Sequence, residues 1–391
     1  MKLLWITLES ILPANTGGRI GVFKRLEQIA KNNEIYLYYP YDDDIDLMQV
    51  KELGKYCVEV HPYSRKQNRL HGVLNLWKYP YTVSSRDFSR MKADILQCIQ
   101  QNDIQIINVD FPHMCVNLLG SDIRIPIVLN EHNIEWKVYE TISKSQNNIL
   151  KKIAYGIDSF RLRSYERNLF NRLHFSKVTF VSSDDLNYMV SNNYVKSGNA
   201  ELIPVGAEIT KYAEAPHEGK IIAFVGKMSY GPNVEAVRWF VHEILPLVRK
   251  QVRNVKFYII GKDPSEEVRS LSSDDVVVTG TVDSVKEYYA MADLIVLPLL
   301  NGGGVKVKLL EAISNRKKVV STSTGVEGTL FANSSVIPIC DDAQNFADSC
   351  VDSLNGNGNA DAAYNIFINH YTWKSVGEKY NRMFYDVLNN H

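Results

Sequence analysis

The segment Leu297 to Ala312, LPLLNGGGVKVKLLEA, holds the residues best suited to chemistry in this chain. A buried-strand pattern ends at Pro298, three glycines follow, and a helical pattern starts near Val305. Glycines let backbone N–H groups approach a ligand without interference from side chains. A helix N-terminus adds unpaired donors and the positive end of its dipole, which suits phosphate. Gly302, Gly303, Gly304 and Val305 are therefore candidate phosphate contacts. Lys306 and Lys308 stand in the first turn, where cations oppose the dipole. They need another partner, such as a diphosphate; the plainer alternative is a flexible loop with solvated lysines. Glu311 lies amid Leu309, Leu310, Ala312 and Ile313. A carboxylate in such company needs partners, which a ribose diol or a nearby lysine would supply.

A second cluster is Asn130-Glu-His-Asn133, which ends an apolar run and precedes a helical pattern. His132 at a strand end could donate a hydrogen bond to a sugar hydroxyl or to developing charge; a structural histidine in a capping loop is the alternative. Glu131 and Asn133 flank it as further candidate ligand contacts. Thr16-Gly-Gly-Arg-Ile-Gly21 puts Gly17 and Gly18 between a first strand and a first helix. Its G-G-x-x-G spacing is not the dinucleotide fingerprint, which argues against hydride transfer. Ser182, Ser183 and Asp184 read as a helix N-cap, and His113 reads as structural.

The elements that must hold these residues alternate. Lys2 to Leu8, Glu34 to Tyr39, Ile104 to Val109, Ile125 to Asn130 and Lys177 to Val181 read as buried strands. Helical stretches separate them, such as Ser85 to Gln101 with Met91, Ile95 and Ile99 at a spacing of four. The theme restarts at Lys220 to Gly226 and continues through Val255 to Gly261, Val276 to Thr279, Asp293 to Pro298 and Lys318 to Ser321. Such alternation predicts α/β architecture with mostly parallel sheets covered on both faces. Two doubly wound, Rossmann-like domains follow, 1–205 and 206–370, joined by the polar stretch Ala207 to Gly219, which puts the boundary near 205–218. Folds of this kind bind ligands at the carboxyl ends of their strands, so a site in the cleft between two such halves is expected.

Composition removes several functional classes. Lys plus Arg and Asp plus Glu both number 44, so the basic excess of a general nucleic-acid binder is absent. Cys57, Cys98, Cys115, Cys340 and Cys350 are scattered and never form a CxxC pair, which fits a reducing compartment and no structural zinc. No cluster with metal-site spacing occurs, so neither a metal nor another cofactor is expected. No run approaches the ~18 apolar residues of a membrane span, and the N-terminus does not read as a signal peptide, so a cytoplasmic protein is expected. Lys137 to Lys177 is locally basic, with apolar residues interleaved. It reads either as a solvated helix face or as a peripheral contact with an anionic inner-membrane surface or lipid-diphosphate acceptor.

Gly302 to Ala312, followed by Lys317-Lys-Val-Val-Ser321 and Gly325-Val-Glu-Gly328, resembles the retaining GT-B glycosyltransferases of the family 4 type. Gly226-Lys-Met-Ser-Tyr-Gly-Pro-Asn233, Ile259-Ile-Gly261 and Val278-Thr-Gly-Thr-Val282 extend the likeness over about 220–330. The resemblance implies transfer of a sugar from a nucleotide diphosphate sugar, such as a UDP-sugar, to a glycan, lipid-linked or protein acceptor. It implies that Glu311 holds the donor ribose and that Gly280, Thr281 and Val282 lie beside the nucleobase. Lys227 would stand against the diphosphate, Gly17 and Gly18 would approach the donor phosphate, and His132 would touch the transferred sugar. The tail helix, within 371–391, would cross back onto the first domain. Two departures stand out: Gly303 occupies the position of the family's first paired glutamate, and Pro232 and Asn233 stand where a lysine is usual. Gly303 keeps open a non-catalytic subunit assisting a partner transferase as the main alternative; a nucleotide-sugar epimerase, which would need acid/base carboxylates in both domains, is the second.

Overall fold

The computed structural model describes residues 1–146, 148–210, 218–358 and 360–390. Most of the expected linker, residues 211–217, lies outside the described residues, as does Asn147 in the basic stretch. The chain divides into two compact units, Met1–Val205 with Val376–His391, and Gly206–Ser375.

The first unit holds a seven-stranded sheet. Its strands are β1 (Lys2–Ile6), β2 (Glu34–Tyr41), β3 (Glu59–Ser64), β4 (Ile106–Asp110), β5 (Ile127–Glu131), β6 (Lys177–Phe180) and β7 (Ala200–Leu202). All neighbours pair parallel, in the order β3-β2-β1-β4-β5-β6-β7. A parallel sheet is apolar on both faces, and the strands show it. Leu4 and Ile6 enter one core with Ile107, Val109 and Leu129. Leu3 and Trp5 enter the other with Ile35, Leu37 and Val128. The helix Trp373–Asn389 closes this second core with Val376, Tyr380, Met383, Phe384 and Val387.

The second unit holds a five-stranded parallel sheet ordered β10-β9-β8-β11-β12. Its strands are β8 (Lys220–Val225), β9 (Val255–Ile260), β10 (Val276–Gly280), β11 (Leu294–Leu297) and β12 (Lys318–Ser321).

The ten strands read from apolar runs are all present. β3 and β7 are additional. Both are edge strands, half exposed along most of their length, so neither needs the continuous apolar run that marks a central strand.

Candidate active site

In the second unit the chain builds β8, β9 and β10 outward, then crosses back to lay β11 against β8. The carboxyl ends of β8 and β11 are therefore the switch point, where open α/β sheets bind ligands. Gly226 and Lys227 leave β8 there, and 298–306 leave β11. Gly302 and Gly304 have φ of +113° and +77°, a region that glycine enters without the cost of a Cβ. Gly261, after β9, packs against the backbone of Gly226, and a Cβ on Gly261 would overlap the Gly226 carbonyl oxygen. Only glycine lets these two loops close together.

The glycine loop is tied from below. Lys306 Nζ donates to the carbonyls of Gly302 (2.9 Å) and Gly304 (2.6 Å) and pairs with Glu327 at 3.3 Å. Thr322 Oγ1 donates to the Leu299 carbonyl at 2.6 Å. These bonds hold 302–306 out of the helix, which begins at Val307 rather than near Val305. Lys306 stands at the cap with extended backbone, its charge directed at the loop's own carbonyls. Among the described residues, the amides of Gly303, Gly304 and Val305 donate to no backbone carbonyl or side chain. They precede the N-terminus of Val307–Ser314, as a phosphate cradle requires.

Lys308 takes the inner position. Its Nζ donates to Asn233 Oδ1 at 2.6 Å, lies 4.3 Å from the Phe224 ring centroid and approaches Gly226. Burial pulls the ammonium down to about 8, against the opposing charge of Glu311. Burial pushes the Glu311 carboxyl up, against a 3.3 Å hydrogen bond from Tyr289 and the charge of Lys308. Each group is thus biased toward its neutral form. A diphosphate beside Lys308 and a diol beside Glu311 would stabilise the charged forms. Lys227 is more exposed, 3.9 Å from Asp263. Gly280 ends β10 and Thr281 and Val282 follow it, at the same carboxyl edge, two strands from β8. Gly303 has an ordinary φ, and a Cβ there would meet nothing within 4 Å. Gly303→Glu, which restores the missing carboxylate, is therefore expected to leave the melting temperature unchanged within about 2 °C in calorimetry. A larger fall would mean that the loop needs glycine at this position too.

The first unit has its own switch point, between β1 and β4, and a buried polar network fills it. Asp110, wholly buried at the end of β4, accepts from Trp5 Nε1 at 2.7 Å and pairs with Arg25. Arg25 also donates to the Tyr380 hydroxyl at 2.8 Å, which is 3.2 Å from Thr179 Oγ1. Burial alone would raise the Asp110 carboxyl, but Arg25, His132 and Trp5 outweigh it and hold it down at about 2. His132 Nε2 lies 3.3 Å from Asp110 Oδ1. Its ring stacks on Phe111 at 4.3 Å between centroids. Phe111 has φ of +69°, a conformation that costs a bulky residue about 1–3 kcal/mol. The carboxylate and the stacked ring fix the imidazole from two sides, leaving Nδ1 as its other ring nitrogen.

The remaining candidates fall elsewhere. Glu131 is 2% exposed and its carboxylate has no hydrogen-bond partner among the described residues; burial and Glu166 push it well above the usual range. It belongs to a buried acidic cluster with Glu166 and Glu135 and not to the His132 network. Asn133 is exposed and hydrogen-bonds Glu135. Gly17 and Gly18 open the first helix, capped by Thr16. Arg19 pairs with Asp46 (2.7 Å) and Glu9 (2.9 Å). Sequence reasoning missed Asp110, Arg25 and Asn233. A carboxylate ending the apolar run IINVD, and an arginine on the same helix face as Val22, Leu26 and Ile29, were the available signals.

Residues 219–355 match the family model of glycosyl transferases group 1. The matched stretch runs from β8 through the helix Ala343–Leu354 and so contains every site residue of the second unit named above. Over 94% of its length, and 94% of the relative's, the chain is 26% identical to an uncharacterized 44.6 kDa protein in the cps region of Klebsiella pneumoniae. Among solved structures, a glycosyltransferase from Rickettsia africae superposes with a TM-score of 0.62 at 12% identity, over 100% of this chain and 99% of that one. HepE from Anabaena, in complex with UDP, superposes with a TM-score of 0.62 at 14% identity, over 99% of this chain and 100% of that one. The fold is that of GT-B glycosyltransferases. The family match and the fold together support a glycosyltransferase.

Proposed function

We propose that the chain transfers a sugar from a nucleotide diphosphate sugar to a hydroxyl acceptor, with retention of anomeric configuration, as a family 4-type enzyme. The observation that carries this reading is the switch-point loop of the second unit. Its free amides of Gly303, Gly304 and Val305 precede a helix N-terminus, with Lys308 on one side and Glu311 one turn further on. In this reading the amides and Lys308 bind the diphosphate, and Glu311 accepts from the ribose hydroxyls. Lys306 shapes the loop, and Gly280 to Val282 flank the base. Stabilising charge on the departing diphosphate is the enzyme's main task. That diphosphate then takes the proton of the attacking hydroxyl, and the loop amides and Lys308 supply the positive charge against it. His132, oriented by Asp110, is the candidate hydrogen-bond partner for a sugar hydroxyl. Uridine is the preferred base: the structure of Anabaena HepE, which shares the fold, is a UDP complex, and another holds UDP-glucose. The acceptor is a glycan, lipid-linked or protein hydroxyl.

Thermal shift with UDP, GDP, ADP and CMP tests the reading. A ligand at about 100 times its Kd adds roughly 2.7 kcal/mol of stability. UDP is expected to raise the melting temperature of the wild type, and Glu311→Ala is expected to lose most of that rise. Absence of any shift at millimolar nucleotide would sink the donor site and favour a non-catalytic partner subunit.

A further inference from the structure

The helix Ile149–Arg172 has two apolar faces. Leu162, Tyr165 and Leu169 are buried in the core of the first unit. Ile149, Leu150, Ile153, Ile157 and Phe160 are exposed. At a helical repeat the exposed five fall within an arc of about 100°, opposite the buried set. A surface helix needs only one apolar stripe, and a second, contiguous one facing water marks an interaction surface.

The stripe continues onto a neighbouring segment. Leu70, Val73 and Leu74 of the helix Arg69–Leu74 are exposed, as is Trp77. Arg161 bolts the two together by donating to the carbonyls of Leu76 and, at 2.8 Å, Tyr79. The Tyr81 amide adds a 3.2 Å bond to Asp158. Trp77 (82% exposed) and Phe160 (77%) line one depression of about 290 Å³ together with Lys78, Arg161 and Arg172.

Charge narrows the partner. Residues 65–81 carry four Lys or Arg and no Asp or Glu; residues 148–172 carry six against two. Of those two, Glu166 is buried and Asp158 accepts from Tyr81. The rest of the chain is net acidic, since the total balances. A second copy placed on this face would oppose one basic rim to another. An anionic bilayer satisfies both features: aliphatic side chains and the Trp77 indole enter the headgroup boundary while Lys and Arg reach lipid phosphates. Among the described residues no helix is long and apolar enough to cross a membrane, so the contact is one of lying on the surface.

We propose that the face formed by 69–81 and the N-terminal half of Ile149–Arg172 docks this protein onto an anionic membrane surface. The inference is independent of the donor reading. The test is co-sedimentation of the full chain with phosphatidylcholine vesicles, with and without about 30% phosphatidylglycerol. Binding is expected only with the anionic lipid and is expected to weaken at high salt. A basic group near such a surface contributes about fivefold in partitioning. Lys78→Glu with Lys152→Glu is therefore expected to lower the partition coefficient by at least about 25-fold. Trp77→Ser with Phe160→Ser should lower it by about tenfold or more. All four side chains are exposed, so melting temperatures should hold. No binding to anionic vesicles, or binding that both double variants retain, overturns the proposal. So does a concentration-dependent dimer abolished by Trp77→Ser with Phe160→Ser, which would make the face a self-association surface.

Discussion

Arg25→Met is expected to destabilise the first unit by about 3–5 kcal/mol, the cost of leaving one partner of a buried ion pair alone. Arg25 is 4% exposed and Asp110 fully buried, so water cannot replace the lost guanidinium. The variant also removes the donor to the Tyr380 hydroxyl, which loosens the C-terminal helix. Calorimetry of the full chain should show the earlier transition, and Arg25→Met with Asp110→Asn should recover part of the loss because no charge is then stranded. The pH dependence gives a second check. In the wild type Asp110 is held down at about 2, below the ordinary carboxylate value of about 3.9. Its contribution is therefore complete above about pH 4 and is lost as pH falls toward 2. In Arg25→Met burial dominates and raises the carboxyl, so acidification protonates it and relieves the stranded charge. The stability gap between wild type and variant is thus expected to narrow as pH falls. A gap constant from pH 7 to 3 would show that the cost lies in packing.

Lys308→Met is expected to weaken UDP binding by about tenfold to a hundredfold, the loss of about 1.5–3 kcal/mol for a charge-assisted hydrogen bond. The methionine keeps most of the side-chain volume beside Phe224, so the loop should survive. The pH profile separates charge from shape. Burial brings the free ammonium down to about 8, and a diphosphate beside it would raise that value, so binding takes up a proton. Wild-type affinity should accordingly fall as pH rises through 8 toward 10, whereas Lys308→Met should be flat over that window. Isothermal titration at pH 7, 8 and 9 measures both. Equal affinity in wild type and variant at every pH would place the diphosphate away from Lys308.

Much of this architecture is legible in the sequence, for a local reason. A strand buried on both faces must be apolar throughout, so KLLWI, IIAFV and LIVL announce themselves wherever they pair. The glycine loop is equally local: NGGG between a strand and a helix needs no distant residue to be recognised. Edge strands were invisible because burial on one side leaves room for Glu59, His61 and Pro62 in β3. The helix Val307–Ser314 starts later than its apolar periodicity implies because Lys306 folds back on the loop carbonyls.

What the sequence determines by itself is therefore the alternation of elements, the two sheets and the loop from which donor chemistry is proposed. Each follows from interactions within a few residues along the chain. The tertiary structure alone decides which charges become neighbours. Arg25 meets Asp110 across 85 positions and Tyr380 across 355, and Lys308 meets Asn233 across 75. A buried ion must find its partner wherever the fold brings one within reach. Parallel strand order gathers residues at one sheet edge without regard to their separation in the chain. That is why Glu131, one residue from His132, ends in a different network, while Tyr380 at the far end of the chain shares its own.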